Sequence, residues 1–253
     1  FYNVALYLRE KYIGSLLIIK DDQKNFTEEQ QHTLRKLGDQ VGVAMQSVMA
    51  VEEINSIQIG SIQALSRSID AKSQWTAGHS ERVAELSELL GNAIGMEEMK
   101  LRRLVISALL HDIGKIGISE AILDKPGKLT DMEFSTIKQH PELGYEISRN
   151  IPNYEDICDG IRYHHERWNG SGYPMKLKEK DIPEFGRIIA IADVFDALSA
   201  DRPYRSGMSF NECIQFIDDK KRVDFDAELA EIFIETMKNS NNYLNNPKGG
   251  VKL

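Results

Sequence analysis

Two short apolar-rich runs, Asn3–Arg9 and Gly14–Lys20, open the chain and are joined by a polar link. That pattern predicts two strands and a hairpin. The period then changes. Thr27 and Gln30 in Phe26-Thr27-Glu28-Glu29-Gln30 have capping-box spacing, which marks a helix start. Leu34, Val41, Val48, Asn55, Ile62 and Ile69 recur every seven residues, with Leu37, Ala44, Val51, Gln58 and Leu65 interleaved. A heptad repeat of this length predicts a dimeric coiled-coil linker, with Asn55 at a position that often sets register. The alternative is one amphipathic helix, or two, packed on their own domain. After Asp70 the pattern is helical almost throughout. Val83, Leu86, Leu90 and Ile94 share a face over residues 80–94, and Leu101, Leu104, Val105, Ala108 and Leu109 share one over 97–111. Thr130-Asp131-Met132-Glu133 and Ser209-Phe210-Asn211-Glu212 are capping boxes, and Asp226 stands as N-cap for 227–238. Pro126-Gly127, Gly170-Ser171-Gly172 and Ile182-Pro183 punctuate as loops. The Asn-rich stretch 239–249 predicts a frayed tail.

At 253 residues, 42% hydrophobic and 28% charged, the composition is that of an ordinary globular chain of one large domain or two smaller ones. A net charge of −8 argues against a surface that coats bulk nucleic acid, while a local basic pocket remains allowed. Cys158 and Cys213 form no disulfide framework and no zinc-type spacing, which suits a reducing, cytoplasmic setting. No apolar run approaches the roughly 18 residues that span a bilayer. The chain opens at Phe1 directly into a strand-like run, so the expectation is a fragment, with any sensor or membrane anchor lying upstream.

The chemistry centres on Leu109-Leu110-His111-Asp112-Ile113-Gly114-Lys115. An apolar run ends in an imidazole and a carboxylate, and buried carboxylates are paired or bound to metal. Lys115 follows one turn later on the same face. An Asp112–Lys115 ion pair at a helix end, with His111 hydrogen-bonded, is the plain alternative. Of six histidines, His32 reads as a surface residue, and the other five each sit in a local motif. His79 starts a helix, His140 lies in mid-helix before Pro141, and His164-His165-Glu166 ends a helix. Asp193 interrupts the apolar run Ile188–Leu198. Any one of these could be a satisfied core polar group. Together, five histidines and two carboxylates favour a common metal site.

Residues from about 66 to 238 closely resemble the HD-GYP domain, a branch of the HD metal-dependent phosphohydrolases. The motifs are Thr76-Ala77-Gly78-His79-Ser80-Glu81-Arg82-Val83, His111-Asp112-Ile113-Gly114-Lys115, Lys138-Gln139-His140-Pro141, His164-His165-Glu166 with Gly172-Tyr173-Pro174, and Asp193-Val194-Phe195-Asp196-Ala197-Leu198 leading to Asp201-Arg202-Pro203-Tyr204-Arg205. The resemblance implies a mainly α fold, an all-helical HD-type domain over 71–238, and hydrolysis of cyclic dinucleotides, chiefly bacterial cyclic di-GMP. Residues 1–50 resemble, more loosely, the C-terminal part of a GAF sensor domain, a small α/β remnant. A helical linker at 51–70 and a flexible tail at 239–253 complete the expected organisation.

Carried over residue by residue, the resemblance makes His79, His111, Asp112, His140, His164, His165 and Asp193 the metal ligands. The expected split puts His79, His111 and Asp193 on one divalent ion and His140, His164 and His165 on a second, with Asp112 bridging. Iron is favoured and manganese is possible. Lys115 would stabilise the phosphate or protonate the leaving oxygen, its pKa lowered by the nearby cations. Tyr173, Arg202 and Arg205 match substrate-facing positions; for the two arginines, loop salt bridges are the alternative. Glu166 is expected to orient a ligand histidine, and Asp196 to be structural. Some family members bind a third metal through a Glu four residues before the first His; Trp75 stands there, so two ions are expected. The family's usual Asp before its Gly-x-Gly-Tyr-Pro is Asn169. The implied partners are cyclic di-GMP and a second copy of the chain through the linker. A catalytically silent cyclic di-GMP-binding module, or an HD hydrolase for another cyclic dinucleotide such as cyclic GMP-AMP, are the alternatives.

Overall fold

The computed structural model describes residues 1–8, 11–20, 25–73, 76–151, 155–201 and 206–240. The chain divides into two units, Phe1–Gly60 and a second beginning at Ser61.

In the first unit, strands β1 (Tyr2–Leu8) and β2 (Lys11–Ile18) pair antiparallel, with a register shift between Leu6 and Tyr7. This is the hairpin expected, with β2 starting earlier than its apolar run suggests. Val4 and Leu6 are the buried side chains of β1. A Cβ at Gly38 would lie 2.3 Å from Cγ1 of Val4. Only glycine lets helix α1 (Glu28–Asp70) lie this close to the strand. The helix starts where the capping box predicts. Gln30 N donates to Thr27 Oγ1 (3.2 Å), and Thr27 N donates to Gln30 Oε1 (3.1 Å). It runs 43 residues without a break, through position 50 where one domain boundary is expected.

Within the second unit, the remaining described helices are α2 (His79–Ala93), α3 (Glu98–Leu110), α4 (Glu120–Leu123), α5 (Asp131–Ile137), α6 (His140–Ser148), α7 (Glu155–Tyr163), α8 (Glu184–Ser199), α9 (Phe210–Asp219) and α10 (Ala227–Asn239). α8 is apolar nearly all round, which is the signature of a buried helix. It packs against α2, α3, α7, α9 and α10. Ile188, Ile189, Ile191, Ala192 and Phe195 are all but inaccessible, and Phe195 meets Phe233 of α10 edge-on at 5.4 Å. α2 contributes Val83, Leu86 and Leu90 and α3 contributes Leu104 and Ala108 to the same core. α5 and α9 both begin with the complete capping boxes read from the sequence, and the Asp226 side chain accepts from Glu228 N at the start of α10.

The break between α5 and α6 corrects one expectation. His140 does not lie in mid-helix; it opens α6, with Gln139 as N-cap. Pro141 is the cause. It has no N–H for an intrahelical bond and fits only the first turn, where that N–H would be unpaired. His140 therefore sits at a helix terminus, as His79 and His111 do. A short 3₁₀ turn, Ile113–Gly117, follows α3 and packs on the start of α6.

Candidate metal centre

Helix ends and one central helix deliver the chemical side chains. His79 is the first residue of α2, behind Gly78 at φ 70°, a left-handed position that suits glycine. His111 caps α3 and Asp112 precedes the 3₁₀ turn. His140 opens α6, His164 and His165 follow α7, and Asp193 comes from the middle of α8. All seven converge. Asp112 is buried, with Oδ1 3.3 Å from His140 Nε2 and Oδ2 3.4 Å from His111 Nε2 and 3.9 Å from His79 Nε2. Asp193 Oδ1 lies 3.3 Å from His79 Nε2. Ring nitrogens and carboxylate oxygens within 4.8 Å of one another fall into three groups: His79, His111 and Asp193; His140, His164 and His165; and His111, Asp112 and His164. The first two hold the residues of the two expected ligand sets, and Asp112 lies between them with its two oxygens facing different histidines.

The histidines are oriented from behind. His111, His140 and His164 each place Nδ1 on the carbonyl oxygen three residues back, Ala108, Ile137 and Ile161, at 2.7, 2.8 and 2.8 Å. An imidazole that donates through Nδ1 turns a lone pair outward on Nε2, the form a metal takes. Nε2 of His111 is buried and has no hydrogen-bond partner among the described residues. With Nδ1 on the Ala108 carbonyl, the Nε2 lone pair faces the Asp112 carboxylate at 3.4 Å, an arrangement that suits a cation between them. His79 gets its orientation from a carboxylate: Nδ1 is 2.6 Å from Asp196 Oδ2. Asp196 also accepts from Arg82 Nε (2.5 Å) and Nη2 (3.1 Å). Asp196 is thus the support of a candidate ligand rather than a merely structural residue. The signal was present in the sequence, since Asp193 and Asp196 share a face one turn apart, as do His79 and Arg82.

Electrostatics divide the cluster. Burial pushes His164 down to about 3, with His111 and His140 adding to it, and burial also lowers His140 and His165. These three are neutral donors. For His79 burial works downward, but hydrogen bonds to Asp193 and Asp196 outweigh it and raise it to about 10. Burial likewise opposes the Asp112 carboxylate, yet Lys115 and His111 hold its pKa well below the usual range. The site keeps buried carboxylates ionised and draws cationic charge to them. Five imidazoles and two carboxylates of this kind fit divalent first-row ions.

Lys115 Nζ lies 2.5 Å from Asp112 Oδ2, the ion pair of the plain alternative. Burial works against its ammonium, but Asp112 outweighs burial and raises the pKa. The carboxylate beside it is its dominant charge here; the lowered pKa expected for Lys115 belongs to a site that holds two cations. Lys115, Tyr173, Arg82 and Thr76 line a cavity of about 260 Å³ that opens onto His79, Asp112 and Asp193. Tyr173 stacks on His165 at 4.7 Å, with Lys138 Nζ 5.2 Å from its ring centre. Glu166 does not orient a ligand histidine. Its Oε1 accepts from Met175 N at 2.7 Å, pinning the Gly172-Tyr173-Pro174 loop to the histidine pair. It is buried at a chain reversal where main-chain N–H groups point inward, and these claim the carboxylate first. Asn169 Oδ1 accepts from Ser171 N at 2.8 Å, a bond that an Asp there would also make. Trp75, Arg202 and Arg205 lie outside the described residues.

A model of the HD domain family matches residues 63–229. The chain is 42% identical over 165 residues to a cyclic di-GMP phosphodiesterase of Thermotoga maritima, the match covering 64% of this chain and 45% of that protein. It is 38% identical over 167 residues to the 3′3′-cGAMP-specific phosphodiesterase 3 of Vibrio cholerae, covering 66% and 36%. The chain thus spans less than half the length of these two curated relatives. Among solved structures, it is similar to a cyclic GMP-AMP specific phosphodiesterase of V. cholerae, with a TM-score of 0.56 and 23% identity over 74% of this chain and 50% of that one. It is also similar to the HD domain of the L. monocytogenes phosphodiesterase PgpH in complex with cyclic-di-AMP, with a TM-score of 0.51 and 19% identity over 75% and 100%. At these identities the solved structures bear on the fold alone.

Proposed function

The chain belongs to the HD domain family, and on that premise we propose that it is a metal-dependent phosphodiesterase that opens a 3′–5′ phosphodiester of a cyclic dinucleotide, with cyclic di-GMP as substrate. The observation that carries this reading is the convergence of His79, His111, Asp112, His140, His164, His165 and Asp193 into one cluster of buried and half-buried ligand atoms, with His79, Asp112, His140, His165 and Asp193 lining a cavity beside it. His79, His111 and Asp193 would hold one divalent ion and His140, His164 and His165 a second, with Asp112 shared and iron or manganese as the metal. Bound there, the ions supply Lewis acidity toward a phosphoryl oxygen and toward water at neutral pH.

The chain's own residues do the rest. Asp196 keeps the His79 ring fixed through Nδ1, and the carbonyls of Ala108, Ile137 and Ile161 fix three more rings. Lys115, held as an ammonium on the cavity wall, offers N–H donors to a phosphate oxygen and a proton to the leaving 3′ oxygen. Tyr173 offers an aromatic ring to a base. Arg202 and Arg205 belong to the proposal as phosphate- or guanine-reading groups on motif grounds alone. Hydrolysis of 3′3′-cyclic GMP-AMP is the second reading, favoured by the relative named for that substrate.

Residues 1–50 are part of the proposal as the end of a GAF-like sensor. So is a homodimer through α1, because the heptad positions Val48, Val51 and Leu65 are 59%, 56% and 55% exposed in the single chain. Two free, buried cysteines support a cytoplasmic setting. Among the described residues no helix is long and apolar enough to cross a membrane.

The test is metal content by elemental analysis with turnover of cyclic di-GMP and cyclic GMP-AMP on one anaerobic preparation. About two metals per chain, with cleavage lost in Asp112→Ala, is the expected result. Two metals with tight binding and no cleavage would make the chain a binding module instead. Failure to load metal would sink the reading.

A further inference from the structure

We propose that Lys72 is a positioning residue: from the end of α1 its ammonium fixes the turn that carries Asp112 and Lys115 relative to the segment that carries His79. The inference rests on the reading of that site as a metal centre. Lys72 Nζ donates to three main-chain carbonyls, those of Lys115 (3.0 Å), Ile116 (2.6 Å) and Ile118 (2.7 Å). A lysine ammonium has three donors, so the set is complete. The first two acceptors lie at the C-terminal end of the 3₁₀ turn Ile113–Gly117, where carbonyls point outward and a cation is favoured. The Lys115 carbonyl also accepts from Ile118 N at 3.0 Å, and Lys115 N donates to the Asp112 carbonyl at 2.9 Å. Lys72 therefore grips the peptide frame on which both functional side chains ride.

Two residues earlier, the same stretch holds the other side of the site. Asp70 is buried, and its carboxylate accepts from Ser80 N (3.1 Å) and Ser80 Oγ (2.7 Å). Gly78, the N-cap of α2, brings no side chain, so Asp70 supplies the missing cap beside His79. Thr76 Oγ1 donates to the Asp70 carbonyl at 2.7 Å. One short stretch, Asp70 to Lys72, is thus bonded to the His79 segment by one residue and to the Asp112 segment by the other. His79 Nε2 and Asp112 Oδ2 stand 3.9 Å apart across that joint. Metal–ligand distances tolerate only about 0.2 Å, so a small drift of the turn reaches the site directly.

The test compares Lys72→Met and Lys72→Arg with the wild type in the full chain. Three quantities are read: amide hydrogen exchange over residues 113–118, Mn²⁺ affinity by titration, and kcat against KM. Lys72→Met is expected to raise exchange over 113–118 and weaken Mn²⁺ binding, each about tenfold, with α9 and α10 amides unchanged. It should lower kcat with little change in KM, and Lys72→Arg, which keeps the cation, should recover most of each loss. Unchanged exchange and unchanged Mn²⁺ affinity in Lys72→Met would overturn the proposal. So would exchange that rises equally over the whole domain, which would make Lys72 a general stabiliser. A wild type that takes up no Mn²⁺ would instead overturn the metal-centre reading, and this inference with it.

Discussion

Gly114→Ala is the sharpest perturbation the site offers. A Cβ at Gly114 would lie 1.9 Å from the His140 carbonyl oxygen and 2.5 Å from Gly144 N. Ordinary contacts of a carbon atom begin near about 3.5 Å, so the turn and α6 would have to part by about 1.5 Å. Both obstacles are main chain and cannot rotate aside. The turn follows Asp112 and α6 opens with His140, whose Nε2 is 3.3 Å from Asp112 Oδ1. Parting them pulls apart the two candidate ligand sets. Overpacking of this kind costs about 1–3 kcal/mol. At about 2–4 °C per kcal/mol for a domain of this size, Tm should fall by roughly 2–12 °C. A misplacement of about 1 Å can cost about 100-fold in rate, so turnover should fall by about that much, with Mn²⁺ affinity falling alongside. Gly117→Ala in the same turn is the control. Its Cβ would meet only Leu143 Cδ1 at 2.9 Å, the end of a side chain that can swing away. Thermal melting, Mn²⁺ titration and turnover on both variants decide the matter. Wild-type behaviour of Gly114→Ala, or equal damage from Gly117→Ala, would refute the close-approach argument.

Other consequences can be measured in the same preparations. Asp196→Asn removes the carboxylate behind His79 and should weaken Mn²⁺ binding about 10- to 100-fold; an unchanged titration would strip Asp196 of its supporting role. Glu133 has its pKa depressed from 4.5 to about 2, first by its bond to Lys125 and then by the Thr130 cap. A depressed folded-state pKa gives stability that is present above the ordinary value and lost as pH falls from 4.5 toward 2. The difference in Tm between wild type and Glu133→Gln should therefore close across that window, and a difference that persists at its acid end would count against the Lys125 pair and the Thr130 cap as its source. If α1 pairs with a second copy, Val48→Glu combined with Val51→Glu should convert a dimer to a monomer in sedimentation at micromolar concentration. A wild type that is already monomeric there would end the coiled-coil proposal.

The fold was most legible where its signals are local. Capping boxes at Thr27, Thr130 and Ser209 each start a helix, since donor and acceptor lie within four residues of one another. Charged groups stranded in apolar runs pointed to the cluster, because burial has a cost that the sequence alone exposes. Partnerships across the fold were not legible. Nothing near Lys72 announces carbonyls more than forty residues on, and nothing near Glu166 says that it will take a main-chain N–H instead of an imidazole.

Asp196 shows where the line falls. It follows Asp193 by one turn on the most apolar helix of the domain, so both carboxylates emerge on one face into one neighbourhood. Periodicity alone goes that far. What it cannot supply is the ring between them. His79 comes from another helix, more than a hundred residues earlier, and sets Nε2 3.3 Å from Asp193 and Nδ1 2.6 Å from Asp196. An imidazole can offer a lone pair on Nε2 only if its proton is held on Nδ1. Asp196 is placed to hold it there once a metal takes the Nε2 proton's place, and Arg82 holds Asp196. In the proposed site, Asp196 is therefore the group that would let His79 serve as a ligand, a dependence that exists only once the two helices pack.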